Sequence, residues 1–433
     1  MVTWVLFISF ILCLILNLPI GIALGMSSVV AMTAGGSVEI SFLVRSLVTA
    51  NDSFPLMAVP FFILAGELMG KGGISARLIN TANVFFGRYT GGLATVTVVT
   101  CMFFAAISGS GPATVAAVGG IMAPAMMKRG YGKSLPSGII ASAGSIGVII
   151  PPSIPMVIYC VTSGVSITSL FLAGFIPGLV IGLGLIVYSW AYSKKHGFYG
   201  DEKRYTIVEQ LSIIWESKWA LLVPVIILGG IYGGIFTPTE AAAIAVIYGF
   251  IVGRFVYKDL GNKEIFEVFR GAALTTGTVL IILGTAATFG RILTLEQIPT
   301  RIAAFIQSVT DSRILVLLMI NILLLIVGCF METLAAIIIL TPILLPLVTQ
   351  VGVDPLHFGI VMVVNLAIGF ITPPLGVNLF VACGITKQSL EEMSKAILGP
   401  LAVMIVILMF LTYIPEISLF LPKLLNGYIP LGV

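Results

Sequence analysis

Ser108-Gly109-Ser110-Gly111-Pro112-Ala113-Thr114-Val115-Ala116-Ala117, followed by Gly147-Val148-Ile149-Ile150-Pro151-Pro152, decides the fold, because the chain writes this pattern twice. The second copy reads Cys329-Phe330-Met331-Glu332-Thr333-Leu334-Ala335-Ala336, then Gly369-Phe370-Ile371-Thr372-Pro373-Pro374. Gly147 and Gly369 stand 222 residues apart, as do Pro151 and Pro373. Further on, Thr162 to Leu170 answers Ala382 to Leu390 at an offset of 220. Hydrophobic segments interrupted at matching places in two halves are the sequence mark of a secondary transporter with its site between the repeats. Gly and Pro are common in membrane helices in any case. Here, however, the order of several motifs is kept and not only their composition.

The rest of the chain fits that reading. Of 433 residues, 58% are hydrophobic and 9% charged, with mean hydropathy +1.15. A soluble domain carries about 25% charge, so this is an all-α polytopic membrane protein. The net charge of +4 sits in a few loops, so nucleic acid is not implied. The first 35 residues lack a basic start and a small-residue cleavage site, which argues against a removable signal peptide. They read as a first span broken near Pro19. Cys13, Cys101, Cys160, Cys329 and Cys383 are scattered in apolar stretches without a CxxC pair. Neither a zinc site nor a disulfide framework follows.

A span needs about 20 residues, and a re-entrant element is shorter. Expected spans are 3–34, 54–70, 134–160, 166–192, 219–235, 239–256, 271–290, 356–381 and 399–420. Segments 91–127 and 314–348 each hold two short apolar helices around a polar, kinked centre. They read as re-entrant hairpins with tips at 108–112 and 328–333. Amphipathic stretches at 74–87 and 296–309 precede them as arms on the membrane surface. This gives four parts: 1–53, a scaffold helix and loop; 54–192, the first repeat; 193–270, a linker loop and scaffold helices; and 271–433, the second repeat, inverted.

Charge sets the sides. The loops holding Lys128, Arg129 and Lys133, then Lys194, Lys195, Lys203 and Arg204, then Arg254, Lys258 and Lys263 are basic. Two spans separate each successive pair, so all three fall on one side, which is cytoplasmic. The first hairpin then opens inward and the second outward. The N-terminus comes out inside and the C-terminus outside. Arg291, Arg301 and Arg313 are the discordant charges.

The hairpin tips and the broken spans are the places for chemistry. Two glycines and a proline stop a helix at Ser108–Pro112. Backbone freed at mid-membrane is tolerated only where it is buried or lines a cavity. Freed carbonyls with serine hydroxyls make an oxygen cage, which suits a small hard cation such as Na⁺. Gly147 to Pro152 breaks the next span in the same way. The second repeat offers Gly328, Met331, Glu332 and Thr333 with Gly369, Thr372 and Pro374. The plainer alternative is a pair of proline kinks that hold no ligand.

Glu67, Glu240, Arg291 and Glu332 lie in or beside apolar helices. A charge at a helix centre costs about 2.5–3.5 kcal/mol on insertion scales, so each needs a partner or a cavity. Glu332 follows a hairpin tip. Arg291 either holds a substrate carboxylate with its planar fork or snorkels to the interface. Glu240 in Thr237-Pro238-Thr239-Glu240 reads as part of a helix start. Asn378 either contacts substrate or bridges helices, and Ser153 is a further substrate candidate beside Pro152. Catalytic constellations are absent: there are two histidines and no HExxH, GxSxG or phosphate loop.

Gly229-Gly230-Ile231-Tyr232-Gly233-Gly234-Ile235-Phe236-Thr237-Pro238-Thr239-Glu240-Ala241-Ala242-Ala243, together with Ser108 to Thr114 and Val148 to Ser153, resembles the large membrane subunit of tripartite ATP-independent periplasmic (TRAP) transporters. The resemblance covers essentially the whole chain, and the three motifs together are specific. It implies an inverted-repeat, elevator-type transporter with two re-entrant helical hairpins in the bacterial inner membrane. It implies Na⁺-coupled import of an organic acid, of the C4-dicarboxylate or sialic acid type. A periplasmic binding protein delivers the substrate, and a small four-helix membrane subunit buttresses the scaffold. Because this chain opens on the large subunit's first span, that small subunit is expected as a separate chain. Carried over by motif, the Na⁺ sites fall on Ser108, Ser110, Gly147, Ile150 and Pro152, and on Gly328, Glu332, Thr333, Gly369, Thr372 and Pro374. Arg291 lies outside these motifs. Two readings stay beside this one: an anion carrier working without a binding protein, and an ion channel. An intramembrane enzyme would need a nucleophile–base or metal group that the sequence lacks.

Overall fold

The structure is a computed structural model and describes residues 2–35, 39–200, 205–310 and 312–431. Among these residues the chain is helical between its turns, with no strand. That follows from an apolar chain in lipid, where each backbone group must be satisfied within its own segment.

α1 (Val2–Ile15) and α2 (Ile20–Gly35) open the chain. Asn17 at φ 59°, in the left-handed region that Asn tolerates, turns the backbone around ahead of Pro19. Val2 then lies against Gly35. The first 35 residues are therefore a helical hairpin and not one span broken near Pro19. Thr3 Oγ1 donates to Glu296 at 3.1 Å, at the end expected outside. The return stroke of the hairpin thus puts the start of α1 beside the Glu296 end of α14, which differs from the inside placement expected for the N-terminus. With α3 (Ile40–Thr49), residues 1–53 hold three helices rather than one helix and a loop.

The first repeat runs α4 (Ala58–Lys71), α5 (Ile74–Phe86), the hairpin α6 (Gly92–Ser108) and α7 (Gly111–Lys128), the broken span α8 (Ser134–Ser145) and α9 (Ile154–Ser163), and α10 (Ile167–His196). The linker holds α11 (Ile207–Glu216), α12 (Lys218–Tyr232) and α13 (Pro238–Ile251). Then the order returns: α14 (Asn262–Leu295), α15 (Ile298–Val309), the hairpin α16 (Arg313–Phe330) and α17 (Thr333–Gln350), the broken span α18 (Pro355–Gly369) and α19 (Val377–Thr386), and α20 (Leu390–Tyr413). α21 (Glu416–Asn426) closes the chain.

Two boundaries differ from the sequence reading. α14 begins well before 271. The last span runs 390–413 instead of 399–420, because Ser389 and Glu392 form a capping box and Pro415 ends the run. Seven helices among the described residues are long and apolar enough to cross a membrane, and eight if the bent pair α11 and α12 counts as one span.

The basic loops meet at one end. Gly91 N donates to Phe198 O at 3.1 Å, the Tyr131 ring stacks on Phe198 at 5.0 Å, and Arg77 pairs with Asp259. Lys203 and Arg204 lie outside the described residues. The opposite end gathers Tyr159, whose hydroxyl donates to Pro355 O at 2.7 Å, and Tyr413, bonded to Ile314 O at 3.2 Å. Between these ends α4, α13, α14 and α2 pack as one block. Each hairpin packs on the broken span of the other repeat, α7 on α19 and α17 on α9.

Candidate functional site

At the first tip α6 stops on Gly109, whose φ of 59° suits glycine, and Pro112 starts α7 where no amide is missed. Ser108 Oγ lies 3.0 Å from Thr114 Oγ1, which also bonds Ser110 O at 2.8 Å. Gly147 closes on these oxygens: a Cβ there would stand 2.5 Å from Thr114 Oγ1 and 2.6 Å from Ser110 O. Ile154 N donates to Gly109 O at 3.3 Å and ties the tip to the break of the next span. Thr114 was not among the expected site residues. Its signal was a hydroxyl one turn into α7, inside the quoted motif.

The second tip is built from backbone. α16 ends at Met331 in an extended conformation, and Glu332 caps α17 by accepting from Ala335 N at 3.3 Å. Gly328 and Gly369 touch, so a Cβ on Gly369 would fall 2.5 Å from Gly328 Cα. Thr333 Oγ1 is buried without a hydrogen-bond partner among the described residues. Thr372 Oγ1 donates to Ile368 O at 2.8 Å. Pro151–Pro152 and Pro373–Pro374, at matching places, are both cis.

A cavity of about 400 Å³ lies between the tips and the block of α4 and α14. Glu67, Ser108, Ser110, Thr275, Glu332 and Phe370 are among the residues that line it. Gly147, Ile150, Pro152, Gly328, Thr333, Gly369, Thr372 and Pro374 are not among the residues that line it. Three expected substrate residues are not brought to the cavity. Ser153 is fully buried; its hydroxyl bonds Val148 O at 2.6 Å and caps α9. Asn378 is fully buried and bridges the repeats, donating to Ser145 Oγ at 2.9 Å. Arg291 is exposed on α14, twelve residues past the lining Val279 and so about 18 Å along the helix axis. Glu240 forms a capping box with Thr237, as its motif suggested.

Among the described residues no three His, Cys, Asp or Glu side chains cluster as metal ligands. The convergent donors at the tips are hydroxyls and carbonyls instead. The family model for the DctM component of tripartite ATP-independent periplasmic transporters matches residues 7–417.

This chain belongs to the DctM family.

Membership makes it one component of a three-part transporter, not an enzyme, and a multi-pass protein of the inner membrane. The isethionate TRAP transporter permease DctMQ of Oleidesulfovibrio alaskensis is 52% identical over 96% of this chain. The C4-dicarboxylate large permease DctM of Vibrio cholerae is 40% identical over 98% of it, and the sialic acid permease SiaT of Haemophilus influenzae 38% identical over 95%. The chain spans 66% of the length of the first and third relatives and 98% of the second. The crystal structure of the YdaH transporter of Alcanivorax borkumensis matches with a TM-score of 0.61 at 13% identity, covering 90% of this chain and 89% of that one. That likeness concerns the fold alone.

Proposed function

We propose that this DctM-family chain imports a small organic anion by Na⁺ symport. The observation that carries the reading is the charge of the shared cavity. Among the described residues, its only charged lining side chains are Glu67 and Glu332. An anion entering there meets carboxylates and no side-chain cation, so positive charge must come from elsewhere. The first turn of α7, with Gly111 and Ala113 in the lining, is not capped by the Ser110 side chain. Its free amides carry partial positive charge. Bound Na⁺ supplies the rest.

The donor set fits such an ion, because hard cations take oxygen ligands. Gly147 leaves the space beside two oxygens that a Cβ would fill, and Thr333 offers an unpartnered hydroxyl. Ser108, Ser110, Thr114 and Gly147, with the break at Ile150 and Pro152, would hold one ion. Gly328, Glu332, Thr333, Gly369, Thr372 and Pro374 would hold the other.

Movement is of the elevator kind in this reading, with the second repeat inverted. The repeats run from α4 to α10 and from α14 to α20, joined by the linker helices α11 to α13. Their first helices, α4 and α14, join the frame with 1–53 and the linker helices, because they pack on α13 and α2. The hairpins and broken spans interlock and move together. Inward positive charge gains about 2.3 kcal/mol per charge per 100 mV.

The isethionate relative widens the substrate class, since isethionate is a sulfonate without a carboxylate. Isethionate, a C4-dicarboxylate and a sialic acid are therefore the substrates to try. A small four-helix membrane subunit and a periplasmic binding protein complete the system. Uptake in proteoliposomes holding all three parts should need inward Na⁺ and rise with a negative-inside potential. Full uptake in K⁺-only medium would remove the Na⁺ coupling. Rapid, saturable uptake by this chain alone would remove the need for partners.

A further inference from the structure

A second cavity, of about 770 Å³, opens at the end where the basic loops meet, between α5, α11, α12 and the stretch after α13. Arg77, Asn80, Trp215, Lys218, Trp219 and Tyr257 are among its lining residues, and among the described residues Glu216 is the one acid in the lining. Lys218 Nζ sits 3.5 Å over the Trp215 ring, and among the described residues no carboxylate pairs with it. The Arg77 guanidinium lies 4.3 Å over Tyr257 and pairs with Asp259.

α11 adds an independent observation. It is bent 57° from α12 and buries none of its residues. Ile207, Val208, Leu211 and Trp215 are 62–77% exposed, while Glu209, Gln210 and Glu216 supply its polar positions. In a membrane protein such a helix lies in the interface with its apolar face among the acyl chains. Trp and Tyr rings settle at headgroup level. A basic pocket on the cytoplasmic side attracts anionic headgroups.

We propose that this cavity binds the phosphate headgroup of an anionic phospholipid of the cytoplasmic leaflet, with the acyl chains along the apolar face of α11. Lys218 supplies the charge not already spent on a carboxylate. A free phosphate shares the headgroup chemistry but has no use for the exposed Ile207, Val208 and Leu211.

The test reads tryptophan fluorescence of the full chain in vesicles, with brominated phosphatidylglycerol or brominated phosphatidylcholine as quencher at equal mole fraction. One cation at the surface enriches an anionic lipid about fivefold, so brominated phosphatidylglycerol should quench more strongly. Lys218→Glu should abolish the excess and Lys218→Arg should keep it, with Trp4 and Trp190 as a constant background. Equal quenching by the two lipids in the unmodified chain overturns the proposal, whatever the variants do. Loss of the excess in millimolar inorganic phosphate at constant ionic strength assigns the cavity to a soluble anion and overturns it too.

Discussion

The two hairpin tips share a plan but stand on different supports. At the first, side-chain hydroxyls meet each other: Ser108, Thr114 and the Ser110 carbonyl lie within 3.4 Å along a chain of contacts, and Gly147 closes against them. At the second, backbone meets backbone at Gly328 and Gly369. Behind the second tip runs a buried polar chain without counterpart in the first. Asn365 Nδ2 donates to Asn321 Oδ1 at 2.7 Å, and Asn321 Nδ2 donates to Thr412 Oγ1 at 3.0 Å. His357 Nε2 lies 3.1 Å from Thr412 O, and its Nδ1 2.7 Å from Ser418 Oγ on α21. At the 222-residue offset, Asn365, Asn321 and His357 face Ala143, Val99 and Leu135. A duplicated site thus keeps its tip while its support diverges.

The largest effect should separate the two supports sterically. Gly369→Ala puts a Cβ 2.5 Å from the Gly328 backbone, and a backbone cannot rotate away. Overpacking of this kind costs about 1–3 kcal/mol or more, and here it splays the tip, so uptake should fall about 100-fold. Gly147→Ala also meets backbone, the Ser110 carbonyl oxygen at 2.6 Å, but its other close contact, Thr114 Oγ1 at 2.5 Å, can turn, so its clash is the smaller of the two. It should retain measurable uptake with a raised Na⁺ requirement. Equal loss in both would erase the distinction between the supports.

Next in size is the hydroxyl pair. Thr333 Oγ1 has no partner among the described residues, so Thr333→Val breaks no hydrogen bond seen there. Any change in Na⁺ dependence then reports ligation itself. Hydrogen-bond-like contacts to a charge are worth about 1.5–3 kcal/mol, so half-saturation should rise about tenfold or more. Thr114→Val should raise it as well and also destabilise the protein, because it cuts the bonds to Ser108 and Ser110. An unchanged Na⁺ half-saturation in Thr333→Val would take that residue out of the cage.

These pairs also mark how far the sequence could be read. The repeats, hairpins and breaks were legible because Gly and Pro interrupt apolar helices at fixed offsets. The tips were found for the same reason. Thr114 was missed because a hydroxyl inside a helix is ordinarily satisfied by a backbone carbonyl one turn back. The α1–α2 hairpin was missed because one left-handed Asn17 reverses the chain without any loop of polar residues. The polar chain from Asn365 to Ser418 joins four helices, and nothing local announces it. Ser153 and Asn378 stand beside the broken-span motifs, but their side chains turn into the packing.

A smaller effect should test that packing. Asn365→Leu leaves the Asn321 carbonyl oxygen buried and unpaired, which costs about 1–3 kcal/mol. Thermal unfolding of the purified protein should show the loss, with Na⁺ half-saturation changed less than by Thr333→Val. Replacing both residues, Asn321→Leu with Asn365→Leu, should cost less than the sum of the single changes. Additive costs would show that the two amides do not support each other.

The smallest effect is expected at Arg291. Its planar fork suited a carboxylate on paper, but α14 turns it outward at the end where Thr3 meets Glu296. The faces of α14 that reach the cavity carry Thr275 and Val279. The rise of a helix, about 1.5 Å per residue, holds Arg291 some 18 Å from the nearer of these. Snorkelling to the interface explains its position at a helix end, and there a lysine serves nearly as well as an arginine. Arg291→Lys should therefore transport within about twofold of the unmodified protein, well inside the tenfold expected for loss of a charged contact. The two cages stay untouched by this change, so Na⁺ half-saturation should not move at all. If the lysine variant instead loses uptake at unchanged Na⁺ dependence, the cavity between the tips is not where the anion first meets positive charge. The outer end of α14 would then take over that role.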